Sequence, residues 1–460
     1  MSDTVDAMRS GTLLEDTKSL LQLAWPIILN RAGIFSLSVV DTIMVGQYAS
    51  TQLAYLSVGQ VPVGFCLLLS IGLLIGTMVL SANHYGAGEY EQCGAVWWRS
   101  LPFAMVIGFV GMGVCLFGEP LLSLFGQPLE IAENAGRISM IFGLGLPLAM
   151  LSITTGFFLE SIGRVKPGMI IILIANVLNF FLNSIFINGG MGLEAMGAEG
   201  SAWSTLIVRT VQCTLIVGYV WMMADWKKFG MRTPPSLAWR HAKRQREIGY
   251  ASGLSMGIEN MGFNALVLFA GIIGTTAVAG FSITFNLFSL CFMIGLGVGT
   301  ASSVLVGNAY GAGQMQLVAR YGWIGLGVQF CLMFVIAVLI YANAELLVST
   351  YTRDVEVAVM AAMLLQYAML AILFDAAQAL LVQVLRARQD IWMAMLIQLA
   401  SFGILMIPAS YLATFVIGRG VIGLIDGLVA GAALAFILAF ARFSHLVRAD
   451  ENKNAQAKLC

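Results

Sequence analysis

Three carboxylates interrupt long apolar stretches of this chain: Asp41, Glu259 and Asp375. A charge at membrane depth is costly, and such groups mark ion or substrate pathways by default. What carboxylates can do there is bind and release a cation or a proton. Glu259 lies 11 residues into a span that begins near residue 248, roughly 16 Å along a helix at 1.5 Å per residue. Asp375 lies 10 residues before the end of a span that closes near residue 385, roughly 15 Å from that end. Similar depth from one face lets the two share a cavity. Gln378 follows Asp375 by three residues and lies on a neighbouring face of its helix. Two adjacent carboxylates cannot both ionise freely in a low dielectric, so they hold a proton between them or bind a cation. Asp41 has candidate partners in Asn179 and Asn183, spaced i, i+4 on one helical face. These three residues are expected to form a second polar site. Buried amides also serve as interhelical glue, and that reading of Asn179 and Asn183 stands beside the functional one.

The elements that hold these groups are membrane helices. Hydrophobic residues make up 59% of the 460 and charged residues 10%, against about 25% charged in a soluble domain. A span needs about 20 apolar residues. Twelve stretches qualify, at roughly 20–46, 52–81, 95–117, 136–160, 168–187, 197–222, 248–271, 277–307, 320–342, 355–385, 391–416 and 421–446. Pro26 and Pro147 fall inside spans and permit kinks. The predicted fold class is therefore an all-α polytopic membrane protein.

Nineteen of the 24 Lys and Arg residues lie in or beside segments that share one face, including Arg164, Lys166, Arg386, Arg388, Arg442 and Arg448. Arg137, Arg353 and Arg419 lie on or near the other face, and Arg31 and Arg209 are embedded without a partner that the sequence can name. By the positive-inside rule both termini and the central loop are expected in the cytoplasm. Residues 1–18 are polar, so the first span is expected to act as an uncleaved insertion signal. Glu160 and Asp426 fall near span ends, where each is expected to reach water.

Asn-x-Tyr-Gly-Ala-Gly occurs twice, at Asn83–Gly88 and Asn308–Gly313, an offset of 225 residues. The same offset pairs Gly46 with Gly271 and Gly72 with Gly297. With six spans in each copy the repeats enter the membrane in the same direction, the arrangement of parallel repeats in transporters. The expected organisation is a cytoplasmic N-terminal segment, 1–19; an N-lobe of spans 1–6, 20–222; a basic cytoplasmic linker, 223–247; a C-lobe of spans 7–12, 248–446; and a cytoplasmic tail, 447–460. The Tyr-Gly-Ala-Gly copies read as helix ends, where glycine takes positive φ. The carboxylates escape the duplication: Asp41 corresponds to Leu266 and Glu259 to Ile34.

Other chemistries lack their residues. No Gly-Lys dipeptide exists, so there is no Walker A loop for ATP. The three histidines, His84, His241 and His445, form no ligand cluster with cysteine or carboxylate. Seven dispersed cysteines, five of them inside apolar spans, read as small core hydrophobes. The net charge of zero gives no basic field for nucleic acid. No constellation suggests an enzyme, and no cofactor is expected. A channel remains an alternative, distinguished by uncoupled currents.

Val40-Asp41-Thr42-Ile43-Met44-Val45-Gly46, preceded by Leu23-Ala24-Trp25-Pro26, resembles the multidrug and toxic compound extrusion (MATE) family. So do Glu259 after Gly253-Leu254-Ser255-Met256-Gly257, the Gly-Ala-Gly ends of both repeats, and Leu385-Arg386-Ala387, where the family's turn carries Gly for Ala. Ser255 stands where a Pro is common. The resemblance covers nearly the whole chain, and the presence of both Glu259 and Asp375 is similar to the NorM-type bacterial branch. It implies two parallel six-helix lobes in a V shape. It also implies a multidrug efflux antiporter in a bacterial cytoplasmic membrane, exchanging cationic, aromatic-rich compounds for H⁺ or Na⁺. Asp41, Asn179, Asn183, Glu259 and Asp375 match polar positions associated with ion or drug binding in that family, with Na⁺ at Glu259 and Asp375 if sodium couples. A monomer with no ATPase subunit is expected. The alternative is a related flippase for lipid-linked oligosaccharides, which would line a large cavity with basic residues for phosphate.

Overall fold

Long apolar runs broken by glycine-rich turns fold as helices that satisfy their own backbone polar groups, the solution that lipid demands. The computed structural model describes residues 12–124, 126–190, 192–352 and 354–457. Arg353, Cys460 and most of the N-terminal segment lie outside the described residues. Among those described there is no strand, only an isolated bridge between Gly190 and Leu193.

The helices are α1 (Leu13–Tyr48), α2 (Ser50–Gly86), α3 (Tyr90–Leu116), α4 (Leu129–Leu144), α5 (Leu146–Ser161), α6 (Lys166–Asn188) and α7 (Ala198–Met222). They continue with α8 (Lys243–Ile273), α9 (Thr275–Gly311), α10 (Met315–Ala342), α11 (Val355–Ala387), α12 (Ile391–Val416) and α13 (Ile422–Ala457). Short helices Gly118–Leu124 and Ala344–Ser349 lie between α3 and α4 and between α10 and α11. Eleven of the described helices are long and apolar enough to cross a membrane, and α4 with α5 makes a twelfth span bent by 43°. This is a multi-pass membrane protein. The bend confirms the kink expected at Pro147, whose ring sits in the first turn of α5 directly after the break at Gly145. Pro26, in contrast, lies within a helix assigned without interruption.

Both repeat motifs close a helix. After α2, Gly88 takes φ +76°, and the Glu89 amide donates to the His84 carbonyl at 2.9 Å. After α9, Gly313 takes φ +71°, and Gln314 donates to Ala309 at 2.9 Å. The same left-handed cap ends both copies, where a side chain would be strained.

The chain divides into two compact units. One is Leu29–Gly253. The other comprises the described residues up to Ile28 together with those from Leu254 onward. The boundaries fall inside α1 and α8. In the first unit, the start of α8 lies against α2 so closely that a Cβ on Gly76 would sit 2.1 Å from the Gln245 carbonyl oxygen. Gln245 is buried there, its amide donating to Thr77 Oγ1 at 3.0 Å and to the Val96 carbonyl at 3.3 Å.

The segment before α8 is docked rather than loose. Phe229 and Met231 are buried with Trp97 and Phe158 in one core cluster. The Trp98 indole donates to the Met231 carbonyl at 3.0 Å, and Arg164 pairs with Asp225. Helix α8 begins at Lys243, so it absorbs the last residues of the sequence-defined linker. The reading of the cysteines as core residues holds for Cys66, Cys93, Cys115, Cys213 and Cys291, which are buried; Cys331 is exposed.

Candidate functional site

In the Leu29–Gly253 unit, α1 carries Asp41 against α6 and α7. Asp41 is 3% exposed, and both oxygens accept hydrogen bonds. Its Oδ1 accepts from Asn179 Nδ2 at 3.1 Å and from Asn183 Nδ2 at 2.6 Å, while Oδ2 accepts from Thr205 Oγ1 at 3.0 Å. The i, i+4 spacing on α6 aims both amides at one carboxylate, as the sequence suggested. Asn183 also donates to Asn179 Oδ1 at 3.2 Å, which fixes the pair in one orientation. Thr205 is the member that sequence reading missed, because a threonine in a span is ordinary.

In the unit that contains α9–α13, α11 carries Asp375 and Gln378, both fully buried, and α8 carries Glu259, which is half-buried. Gln378 Nε2 donates to Asp375 Oδ1 at 3.1 Å. The acids do not bond each other. They are joined through Gln398 of α12, whose Nε2 donates to Gln378 Oε1 at 3.2 Å and to Glu259 Oε2 at 3.5 Å. The result is a chain Glu259–Gln398–Gln378–Asp375 built from three helices. Its polar demand is incomplete: Asp375 Oδ2 and Gln398 Oε1 are buried without a hydrogen-bond partner. A buried carboxylate oxygen without a donor is costly unless a proton or cation meets it.

Gln398 is the last α-helical residue before a π-helical stretch, Leu399–Met406, and a second follows at Leu412–Val416. The wider turn of a π segment changes the direction of the side chains around it, and such segments recur at functional sites. Glutamine in an apolar helix gives no sequence signal of this role.

Arg386, one of the charges grouped on one face by the sequence, is enclosed by the fold. It is 6% exposed, and its Nη2 donates to Ser255 Oγ at 2.8 Å. The embedded arginines now have partners: Arg31 pairs with Glu160 at 3.0 Å, and Arg209 donates to the Phe142 carbonyl at 3.2 Å. Glu160, placed by its nearness to a span end where water can reach it, is 4% exposed instead, because Arg31 and Asn30 of α1 hold its carboxylate. Asp426 accepts from Tyr367 at 2.7 Å and pairs with Arg419 at 3.0 Å. Among the described residues no group of three or more His, Cys, Asp or Glu side chains could hold a metal.

An all-helical membrane chain in two copies, with unduplicated buried acids, defines the class of a polytopic transporter-like fold. The MatE family model matches twice, over residues 26–185 and 251–412, and the two starts differ by 251 − 26 = 225, the motif offset. A protein of Caulobacter vibrioides named "Probable multidrug resistance protein NorM" is 32% identical over 97% of this chain and 95% of its own length. One of the same name from Aromatoleum aromaticum is 28% identical over 93% of each. The crystal structure of the eukaryotic MATE transporter AtDTX14 superposes with a TM-score of 0.87, at 20% identity, over 96% of this chain and 99% of that one. An outward-facing multidrug resistance MATE family transporter of the MOP superfamily matches at TM-score 0.87 and 19% identity, over 95% and 97%. The chain belongs to the MatE family, and its relatives place it with the NorM-type members.

Proposed function

We propose that this protein is a multidrug efflux antiporter that exports cationic, aromatic-rich compounds in exchange for H⁺ or Na⁺. The observation that carries the reading is the bridged pair Glu259 and Asp375, with Asp375 Oδ2 buried and short of a partner. A coupling cation supplies the positive partner that no donor gives this oxygen. Neutralising the acids removes their attraction for a cationic drug, so ion and drug compete for one site. Competition is a differential affinity, and differential affinity is what lets one flow drive the other. Each net charge carried inward through 100 mV releases about 2.3 kcal/mol; a one-for-one swap of a monovalent drug cation for H⁺ or Na⁺ carries none, so the ion gradient itself supplies its drive. The names of the NorM relatives support drugs as the substrates.

The sites belong to two lobes, 20–222 and 248–446, that alternate access, with both termini and the linker in the cytoplasm of a bacterium. The transporter works as a monomer and needs no ATPase subunit. Oligosaccharide flipping finds less support: Arg31 and Arg209 are committed to internal partners and offer no phosphate-binding surface.

The test is efflux of a fluorescent aromatic cation from proteoliposomes, with Na⁺ and pH gradients imposed separately. Efflux driven by one gradient supports antiport. Equal flux with neither gradient, or an ionic current without drug, overturns it.

A further inference from the structure

Arg386 is a permanent charge in an apolar setting, since guanidinium does not deprotonate in proteins. It is buried at the last turn of α11, and it forms no direct ion pair among the described residues. A buried charge without compensation is strongly unfavourable, so something must balance it. Ser255 Oγ accepts one of its hydrogen bonds at 2.8 Å. A neutral hydroxyl orients the group without neutralising it. Ser255 and Glu259 are four residues apart on α8, hence one turn apart on the same face. The guanidinium held by Ser255 is therefore directed to the side of α8 that carries Glu259. Glu259 is consequently tied to α11 at two points, through Gln398 and Gln378 to Asp375 and through the turn that carries Ser255 to Arg386.

We propose that Arg386, positioned by Ser255, is a built-in competitor for the coupling cation at Glu259 and sets how weakly that cation is held. This rests on the antiport reading and adds a residue to it. When the site is empty, the Arg386 charge balances Glu259. When the cation enters, it must share Glu259 with a charge of its own sign that cannot leave. The affinity is thereby lowered, and release is assisted. A carrier must let go of its ion on every cycle, so a tethered competitor serves turnover better than a tighter site. Arg386 touches neither drug nor ion in this scheme; it is a positioning residue that acts through Glu259.

The experiment measures proteoliposome efflux of a fluorescent aromatic cation against the concentration of the coupling ion, for the wild type, Arg386→Gln, Arg386→Lys and Ser255→Ala. Removing the fixed charge in Arg386→Gln should lower the half-saturating ion concentration by about tenfold or more, the scale of one neighbouring charge. Maximal turnover should fall at the same time, as release slows. Arg386→Lys keeps the charge and should stay near the wild type. Ser255→Ala frees the guanidinium and should shift the half-saturating concentration in the direction of Arg386→Gln, by less. Should Arg386→Gln fail to reach the membrane, Ser255→Ala and Arg386→Lys decide the matter. An unchanged half-saturating concentration in Ser255→Ala, or a Lys variant that behaves like the Gln variant, overturns the proposal. A wild type whose efflux ignores both ions overturns the antiport reading and this proposal with it, whereas an ion-dependent wild type with unaltered variants overturns this proposal alone.

Discussion

Asp41 and Asp375 are both buried acids on long helices, yet their surroundings differ in kind. Asp41 has three donors, from Asn179, Asn183 and Thr205, spread over both oxygens. Asp375 has one donor, Gln378, and its second oxygen has none. A carboxylate offers about four acceptor positions, so the first site is close to satisfied by protein alone and the second is not. Donors that point at an acid favour its charged form and hold it in place. A shortage of donors beside a second acid leaves room for a mobile cation. The difference teaches that equal burial can leave a carboxylate well or poorly supplied with donors, and it supports the exchange reading proposed for Asp375.

The largest test of this contrast removes the charge. Asp375→Asn and Glu259→Gln are each expected to abolish ion-driven efflux while the protein still inserts, as measured by transport in vesicles alongside membrane abundance. Wild-type transport by both variants would end the exchange reading of that pair. Asn183→Leu takes away the shortest donor to Asp41 and leaves a buried carboxylate oxygen short of a partner. It should lower stability by about 2–3 kcal/mol, read as a drop in the thermal midpoint of the purified protein. Gln398→Leu breaks the bridge while leaving both acids in place. Its expected effect is an approximately tenfold change in half-saturating coupling ion, the size of one hydrogen bond to a charged group. Thr205→Val keeps the shape and removes one of three donors to Asp41. A loss of about 1 kcal/mol is expected, with the ion dependence of efflux unchanged. A Thr205→Val variant with altered ion dependence would erase the distinction between the two acids.

Much of this was legible before any coordinates. Asp41, Asn179, Asn183, Glu259, Asp375 and Gln378 stand out because polar groups in apolar spans are rare and costly. The i, i+4 asparagines and the helix-breaking effect of Pro147 are local, and local periodicity survives in a single sequence. What stayed hidden was long-range or chemically ordinary. Gln398 and Glu259 are 139 residues apart, and no spacing rule connects them. The π-helical turns around Gln398 leave no pattern in an apolar run. Arg386 lies at a span end, where sequence alone reads a charge as a topology signal. Only the fold shows that this end is enclosed and that Ser255 holds it. Glu160 is hidden in the same way, since nearness to a helix end does not guarantee water when an arginine closes over it.

The docked segment before α8 has a practical consequence for anyone who labels or cuts this protein. Phe229 and Met231 anchor one end of it, and the helical turn Trp239–Ala242 takes up the other. Between these points Thr233 and Pro234 are exposed, and Thr233 caps its own turn by bonding the Gly230 carbonyl at 3.1 Å. A fluorescent tag or a protease site placed after Thr233 would therefore sit on an exposed stretch whose two ends are packed against the protein, the kind of place that tolerates insertion and admits a protease.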